Sequence, residues 1–342
     1  MLSMVCGVWL GLVRLGWNLP LPWADQLVSH GPLMVCGFLG TLIALERAVA
    51  LGSAWAFAAP AATAAGALLL TFGSVGPLGP ALMTAGSAFV VAIFGVALRR
   101  HVSLEGVTMA VGSVAWLAGN AQWLAGAGIF RVVFWWVTFL VLTIAGERLE
   151  LGRALSQSSA VRLMFALAAG VLLAGTALTP LQASMGVRTI GAALVALAVW
   201  LARFDIARRS IRHAGLSRFM GVCLLGGYAW LGLGGILAAL SGAAAPGSLY
   251  DAILHAVFLG FVMSMVFAHA PVILPAVLGV TMEYRPVFFL HVAVLHVSLA
   301  VRLTGDLVDV LGRWRVYGGL LNAITLILFL VNTVTSVGVK RR

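Results

Sequence analysis

Charged side chains are scarce in this sequence. Only 9% of its 342 residues are Asp, Glu, Lys or Arg, whereas 62% are hydrophobic. A soluble domain of average composition carries about a quarter charged residues. The scarcity of charge argues against a soluble globular domain. The long, continuously apolar runs indicate helices that cross a membrane.

Acidic residues are even scarcer than basic ones, and the formal net charge is +11. The Lys and Arg residues lie mainly in short connections between apolar runs, where basic residues set orientation and meet anionic lipid. The charge therefore indicates a lipid bilayer as the principal partner and gives no indication of a nucleic-acid partner.

Cysteine is also rare and shows no pattern. The three cysteines, Cys6, Cys36 and Cys223, lie inside apolar runs and form no spaced pair, which argues against a disulfide framework or a zinc knuckle. There is no Cys-x-x-Cys-His motif, so we expect no covalently attached haem.

Because Arg14 comes late in the N-terminal run and no Ala-x-Ala site follows, we interpret this run as a first helix, not a cleaved signal peptide.

Windows of about 20 apolar residues divide the chain into twelve predicted spans. Their limits are 2–18, 30–50, 54–73, 77–98, 104–125, 129–147, 161–181, 186–203, 217–241, 249–274, 286–304 and 316–338. No soluble domain fits between them. We predict an all-α fold that forms a single polytopic membrane domain over residues 1–342.

The basic residues predict the orientation of these spans. With a cytoplasmic N-terminus, fifteen of the 21 Lys and Arg residues fall in inner connections, Arg148 among them. The outer connections hold Arg131, Arg188, Arg302, Arg313 and Arg315, and Arg14 lies within the first span. Such a bias is the positive-inside signal. It predicts a multi-pass membrane protein with both termini in the cytoplasm.

Four of the seven histidines lie in predicted spans 10 and 11: His255, His269, His291 and His296. Ionisable residues inside a membrane are costly and mark functional sites by default. Three interpretations are open: a metal or haem site, a proton relay, or hydrogen bonds between packed helices. His101 and His213 fall in connections beside arginines, and we expect them to be solvated.

The predicted orientation places these histidines in two layers. His30, which opens span 2, and His255 belong to an outer layer, with His296 just below it. His269 and His291 belong to an inner layer. The fourteen residues between His255 and His269 correspond to about 40° short of whole helical turns and about 21 Å of rise, so the two face nearly the same way at opposite depths.

A weak internal sequence repeat suggests three blocks of four helices. Span 2 ends with LIALERAVALG and span 6 ends with TIAGERLELG, each placing Glu-Arg at the inner edge. This predicts pseudo-repeats of about 1–100, 101–215 and 216–342. The alternative is that each Glu-Arg is a surface ion pair of little energetic value.

Twelve spans in three four-helix arcs resemble the catalytic subunit of the heme-copper oxidases. That family has an H-G-x-x-M-x-F motif in span 2, and His30, Gly31, Met34 and Phe38 match it with the aromatic residue displaced by two. The resemblance implies a b-type haem held by His30 and His255. It also implies that Arg313 and Arg315, between spans 11 and 12, pair with the haem propionates.

The same comparison shows an important departure. The oxidases take their active-site copper ligands from spans 6 and 7, and these spans contain no histidine in this sequence. Oxygen reduction is therefore not expected. The chain more closely resembles the NnrS family, twelve-span bacterial membrane proteins that are related to nitric oxide metabolism and carry haem and copper.

The histidines and these resemblances together imply a haem-binding protein of the bacterial cytoplasmic membrane in nitric oxide response or membrane redox chemistry, with an electron donor as its partner. His269, His291 and His296 would form a second site, for copper or another haem. Whether the protein is an enzyme stays open. The alternative is a secondary transporter of a small solute that uses its intramembrane histidines as a proton relay.

The intramembrane amides Asn120 and Asn322 are predicted to form hydrogen bonds between helices.

Overall fold

The computed structural model describes residues 1–21, 23–73, 76–155 and 157–338. Contacts divide the chain into two compact units, Met1–Gly146 and Glu147–Arg342. The predicted division into three pseudo-repeats stays a prediction.

In the first unit, helices that follow one another in sequence pack side by side. The unit contains α1 (Leu2–Arg14), α2 (Gln26–Leu51), α3 (Ala54–Thr71), α4 (Leu78–Arg100), α5 (Leu104–Leu124) and most of α6 (Ile129–Leu151). Neighbours in sequence pack on each other, α3 against α4 and α4 against α5. Short connections favour such antiparallel neighbours.

The second unit begins at the end of α6. It contains α7 (Ser159–Leu178), α8 (Ala183–Phe204), the short α9 (Ala207–Ser210), α10 (Gly215–Ser241), α11 (Ser248–Val277), α12 (Phe288–Leu307) and α13 (Asp309–Thr335). A small antiparallel pair joins β1 (Thr281–Met282) to β2 (Val337–Gly338). The main packing pairs are α7 with α8, α8 with α10, and α12 with α13.

Glycine allows two of these pairs to approach closely. A Cβ at Gly191 of α8 would lie 2.6 Å from the Gly235 carbonyl oxygen of α10, and a Cβ at Gly318 of α13 would lie 2.5 Å from the backbone nitrogen of Arg302 in α12. Small residues at such crossings let membrane helices pack backbone to backbone.

Ten helices of the described chain are long and apolar enough to cross a membrane, namely all except α1, α5 and α9. A helix overlaps each of the twelve predicted spans, but α1 and α5, at predicted spans 1 and 5, do not reach that length and apolarity. The chain is therefore an all-α protein whose helix lengths and composition are those of a multi-pass membrane protein. The finer prediction of twelve membrane crossings stays a prediction.

One boundary differs from the prediction in an informative way. Arg313 and Arg315 were expected in a loop, but both lie in the first turns of α13. The helix can begin among charged residues because Arg315 is neutralised by two aspartates of neighbouring helices. The orientation of the chain and its compartment stay predictions from the loop charges.

Candidate functional site

His30 is held against α1 in the first unit. Its Nδ1 lies 2.7 Å from the carbonyl oxygen of Gly7. A carbonyl oxygen only accepts hydrogen bonds, so Nδ1 carries the proton and, in the neutral ring, Nε2 carries the lone pair. A Cβ at Gly11 would lie only 2.9 Å from His30 Cε1. Two glycines of α1 thus bring the backbone of α1 close enough to orient this ring.

His255 has the same hydrogen-bond arrangement in the second unit. Its Nδ1 lies 2.7 Å from the carbonyl oxygen of Asp251, one turn earlier in α11. The proton is therefore on Nδ1 here as well, and Nε2 is the nitrogen with ligand character. His255 and His30 are both partly buried.

A π-helical segment follows each of these two histidines. Leu33–Gly40 interrupts α2, and Ala256–Met263 interrupts α11. Both segments are eight residues long and carry Gly-Phe at their fifth and sixth positions, Gly37-Phe38 and Gly260-Phe261. π-helical insertions are rare and often occur at functional sites. The repeated Gly-Phe pair was a sequence signal that the prediction missed.

Four charged residues form a group beside His255, which we name the Asp306 cluster: Asp251, Arg302, Asp306 and Arg315. Arg315 Nη2 lies 2.8 Å from Asp251 Oδ2, and its Nε lies 3.0 Å from Asp306 Oδ1. Arg302 Nε is 3.9 Å from Asp306 Oδ2, and the Asp306 side chain is 0% exposed. The cluster joins α11, α12 and α13 at the end where His255 lies.

The two predicted propionate-binding arginines are not equivalent. Arg315 is half-buried within the Asp306 cluster, whereas Arg313 is exposed. Arg302, which was assigned to an outer connection, is instead buried in α12. Sequence reasoning missed Arg302 and Asp306, although their i, i+4 spacing near a helix end was a usable signal.

His269 belongs to a second buried group, which we name the Arg148 cluster: Arg148, Asp205, Tyr228 and His269. Arg148 Nε and Nη2 donate to the two carboxylate oxygens of Asp205 at 2.7 and 3.0 Å. Arg148 Nη1 lies 3.1 Å from His269 Nε2, and His269 Nδ1 lies 2.8 Å from the Met265 carbonyl oxygen. The buried Tyr228 hydroxyl lies beside the Arg–Asp pair.

These contacts define the role of each nitrogen of His269. Guanidinium groups only donate hydrogen bonds, so Nε2 accepts from Arg148 and Nδ1 donates to Met265. Arg148, which was assigned to an inner connection, lies instead within α6 and is only 2% exposed. A carboxylate on another helix compensates its charge, which a reading of α6 alone could not reveal.

His291 and His296 have other surroundings. His291 is 2% exposed and is enclosed by the rings of Phe219, Phe267, Phe288 and Phe329, with Asn332 Nδ2 at 3.1 Å from its Nδ1. His296 Nδ1 accepts a 2.8 Å hydrogen bond from Trp230 Nε1. His101 and His213 are exposed, which confirms the expectation for both.

No group of three or more His, Cys, Asp and Glu side chains in the described ranges could hold a metal ion. His269, His291 and His296 each face a different set of neighbours, an arginine, a phenylalanine cage and a tryptophan. The second metal site predicted from these three histidines therefore stays a prediction without an assembled ligand set.

The predicted interhelical amide bonds are present in both units. Asn120 Oδ1 accepts from Trp136 Nε1 at 2.9 Å and from Cys36 Sγ at 3.3 Å, and its Nδ2 donates to the Met83 carbonyl. In the second unit, Ser298 Oγ donates to Asn322 Oδ1 at 2.7 Å. Because Cys36 lies in the first π-helical segment, Asn120 also anchors that segment.

Comparison with known proteins gives a family but no function. No curated protein and no solved structure matches the chain. A family model described as "Domain of unknown function (DUF8744)" matches residues 1–338. The match covers nearly the whole chain, and the protein belongs to the DUF8744 family.

Proposed function

We propose that this protein is a haem-binding integral membrane protein, similar in kind to the NnrS family and acting in nitric oxide response or membrane redox chemistry. The observation that carries the proposal is that His30 and His255 have the same hydrogen-bond arrangement and the same position before a π-helical segment. Each donates its Nδ1 proton to a backbone carbonyl at 2.7 Å, and each precedes a π-helical segment.

This arrangement suits a ligand of haem iron. A ligating histidine commonly donates its second ring N–H to a carbonyl or carboxylate, which fixes the tautomer and the ring orientation. The iron would then be bound through Nε2, and the haem would supply a redox centre when bound. His30 belongs to the first unit and His255 to the second, so each proposed ligand is supported by the contacts of its own unit.

The Asp306 cluster adds a feature that suits a ligand with carboxylates. Arg315 contacts Asp251, which lies one turn before His255 in α11, and guanidinium pairs strongly with carboxylate. Arg313, being exposed, is the weaker candidate of the predicted pair. Its removal should affect haem binding less than the removal of Arg315.

The contacts of the remaining histidines do not fit a shared copper ion. His269 Nε2 accepts from Arg148, His296 Nδ1 accepts from Trp230, and His291 is enclosed by phenylalanine rings. Copper ligation through His269 Nε2 would displace Arg148. The Nε2 atoms of His291 and His296 are buried without a hydrogen-bond partner, but in the described residues the three histidines form no group that could hold one metal ion. We therefore confine the proposal to haem.

Optical spectra of the purified protein test the proposal. The full chain is expressed with added haem precursor, and spectra of the oxidised and dithionite-reduced protein are recorded together with iron analysis. We expect a sharp reduced α-band and near-stoichiometric iron. His30→Ala and His255→Ala should each abolish the low-spin spectrum, whereas His101→Ala and His213→Ala, which change exposed histidines, should retain it.

Two results would overturn the proposal. One is a colourless, folded protein without iron under conditions of ample haem supply. The other is an unchanged low-spin spectrum in both His30→Ala and His255→Ala, which would show that neither residue is an axial ligand.

A second candidate function is proton-coupled transport of a small solute, and the Arg148 cluster is the observation that favours it. Ionisable residues buried in membrane helices mark ion and proton paths. Proton flux into liposomes under a potassium diffusion potential tests it. Wild type should conduct protons, His269→Gln should not, and His213→Gln should behave as wild type. Equal flux from all three, or flux no greater than that of empty liposomes, would exclude this candidate.

A further inference from the structure

We infer that residues 203–218, which comprise the connection between α8 and α10 and the adjoining helix ends, form a binding surface for the phosphate headgroups of anionic membrane lipids. The segment reads RFDIARRSIRHAGLSR and holds five arginines in sixteen residues. All five are exposed: Arg203, Arg208, Arg209, Arg212 and Arg218. This inference is independent of haem binding.

The arginines carry charge that the segment itself does not neutralise. Its only acidic residue is Asp205, which is buried and bound by Arg148. In the part of the chain that the structure describes, no carboxylate forms an ion pair with any of the five arginines. The surface therefore presents five positive charges to whatever lies next to it.

The segment is docked on the helices beneath it. Asp205 Oδ1 accepts a 2.6 Å hydrogen bond from the Ala207 backbone, at the start of α9. Ala207 and Ile211, four residues apart, pack on α10, where a Cβ at Gly221 would lie 2.6 Å from the Ile211 nitrogen. Helical hydrogen bonds continue through His213.

This docking determines where the arginines point. In a helical segment, residues four apart share a face. With Ala207 and Ile211 turned toward α10, Arg208 and Arg212 lie together on one outward face and Arg209 lies beside them. A surface held in place this way loses little conformational entropy on binding, which favours affinity.

The position of the segment indicates that its ligand is a membrane lipid. The apolar helix α8 ends at Phe204, and the apolar helix α10 begins at Gly215. The arginines therefore lie where membrane helices leave the hydrocarbon, which is the level of the lipid phosphates. Guanidinium binds phosphate through paired hydrogen bonds, and each basic residue near an anionic membrane contributes about a fivefold gain in affinity.

Native mass spectrometry of the full-length protein in detergent tests this inference. The protein is titrated with dioleoyl phosphatidylglycerol and, separately, with dioleoyl phosphatidylcholine. The variant Arg208→Gln/Arg209→Gln removes two arginines of the segment. The matched control, Arg99→Gln/Arg100→Gln, removes two adjacent exposed arginines at the end of α4.

We expect wild type to bind phosphatidylglycerol in preference to phosphatidylcholine. Arg208→Gln/Arg209→Gln should weaken the first phosphatidylglycerol affinity roughly 25-fold, from about fivefold for each arginine. The control pair should change it less than about threefold, because it removes the same charge elsewhere. Affinity for phosphatidylcholine should not change in either variant.

Several outcomes would overturn the inference. Equal losses in the two double variants would show a general effect of net charge. Equal affinity of wild type for both lipids would show no phosphate-charge selectivity. Displacement of the lipid by glycerol 3-phosphate at similar concentration would identify a soluble phosphate compound as the ligand. Retained affinity in Arg208→Gln/Arg209→Gln would place the lipid elsewhere.

Discussion

Arg148 binds Asp205 through two parallel hydrogen bonds, from Nε at 2.7 Å and from Nη2 at 3.0 Å, and both side chains are almost completely buried. The pair joins the end of α6 to the end of α8. Through its remaining nitrogen, Arg148 also reaches His269 in α11. One guanidinium therefore connects the end of α6 with α8 and α11, and its removal should have consequences at each of them.

The first prediction concerns this buried pair. Asp205→Ala should lower the free energy of unfolding by about 3–5 kcal/mol, because it leaves the Arg148 charge buried without its carboxylate. Thermal unfolding in detergent measures the change. Glu283→Ala is the control, since Glu283 and Arg285 form an exposed pair 3.8 Å apart, which should contribute nothing measurable. The double variant Arg148→Met/Asp205→Ala should recover part of the loss, and no recovery would contradict the explanation.

The second prediction separates the two aspartates of the Asp306 cluster. Asp306→Ala should cost about 3 kcal/mol, because Arg302 and Arg315 both lose a carboxylate that is 0% exposed. Asp251→Ala should cost only about 1 kcal/mol, because its pair with Arg315 is partly solvated. The thermal unfolding midpoints of the two variants show which substitution is more destabilising. A larger cost for Asp251→Ala would show that the pair with Asp251 is the stronger one.

The third prediction tests whether α1 positions His30. Gly11→Ala places a methyl group 2.9 Å from His30 Cε1, so the ring must move from the Gly7 carbonyl. If His30 ligates haem, the reduced α-band should shift or weaken while the helical circular dichroism is kept. Gly95→Ala in α4, where nothing lies within 4 Å of the new methyl group, should leave the spectrum unchanged. A normal haem spectrum in Gly11→Ala would show that α1 does not control the ring.

The fourth prediction concerns the amide network of the first unit. Asn120→Ala should destabilise the protein by about 1–3 kcal/mol, because it leaves the buried Trp136 N–H without an acceptor. Gln122→Ala lies half a turn away on the same helix and loses only a bond to its own helix, at Ala118. Its effect should stay within about 0.5 kcal/mol. Comparable thermal midpoints for the two variants would contradict the assigned role of Asn120.

Much of the fold could be predicted from the sequence because membrane helices are local structures. Runs such as those that became α4 and α7 satisfy their own backbone hydrogen bonds, so length and apolarity suffice to locate them. The exposed positions of His101 and His213 followed from their polar neighbours. The interhelical bonds of Asn120 and Asn322 followed from the cost of an amide in hydrocarbon.

The partners of the buried charges could not be predicted in this way. Arg148 and Arg302 look like ordinary basic residues at helix ends, and the loop-charge rule assigned both to connections. Arg148 is buried with Asp205, which is 57 residues away in sequence and comes within hydrogen-bond distance only after packing. Arg302 has Asp306 one helical turn away, but its burial also depends on packing against α13. The π-helical segments were also missed because they depend on tertiary contacts. The hydrogen-bond pattern within a helix depends on side chains packed against it, such as Asn120 of α5 against Cys36.

The sequence by itself determined the class of this protein, its helices, and the unusual group of histidines, because hydrophobicity and helix length act locally along the chain. Only the tertiary structure decided what those histidines contact. It turned the Nδ1 atoms of His30 and His255 to backbone carbonyls, paired His269 with Arg148, and enclosed His291 in phenylalanine rings. The orientation of a side chain depends on which helix packs beside it, and that choice depends on the fit of many residues far apart in sequence.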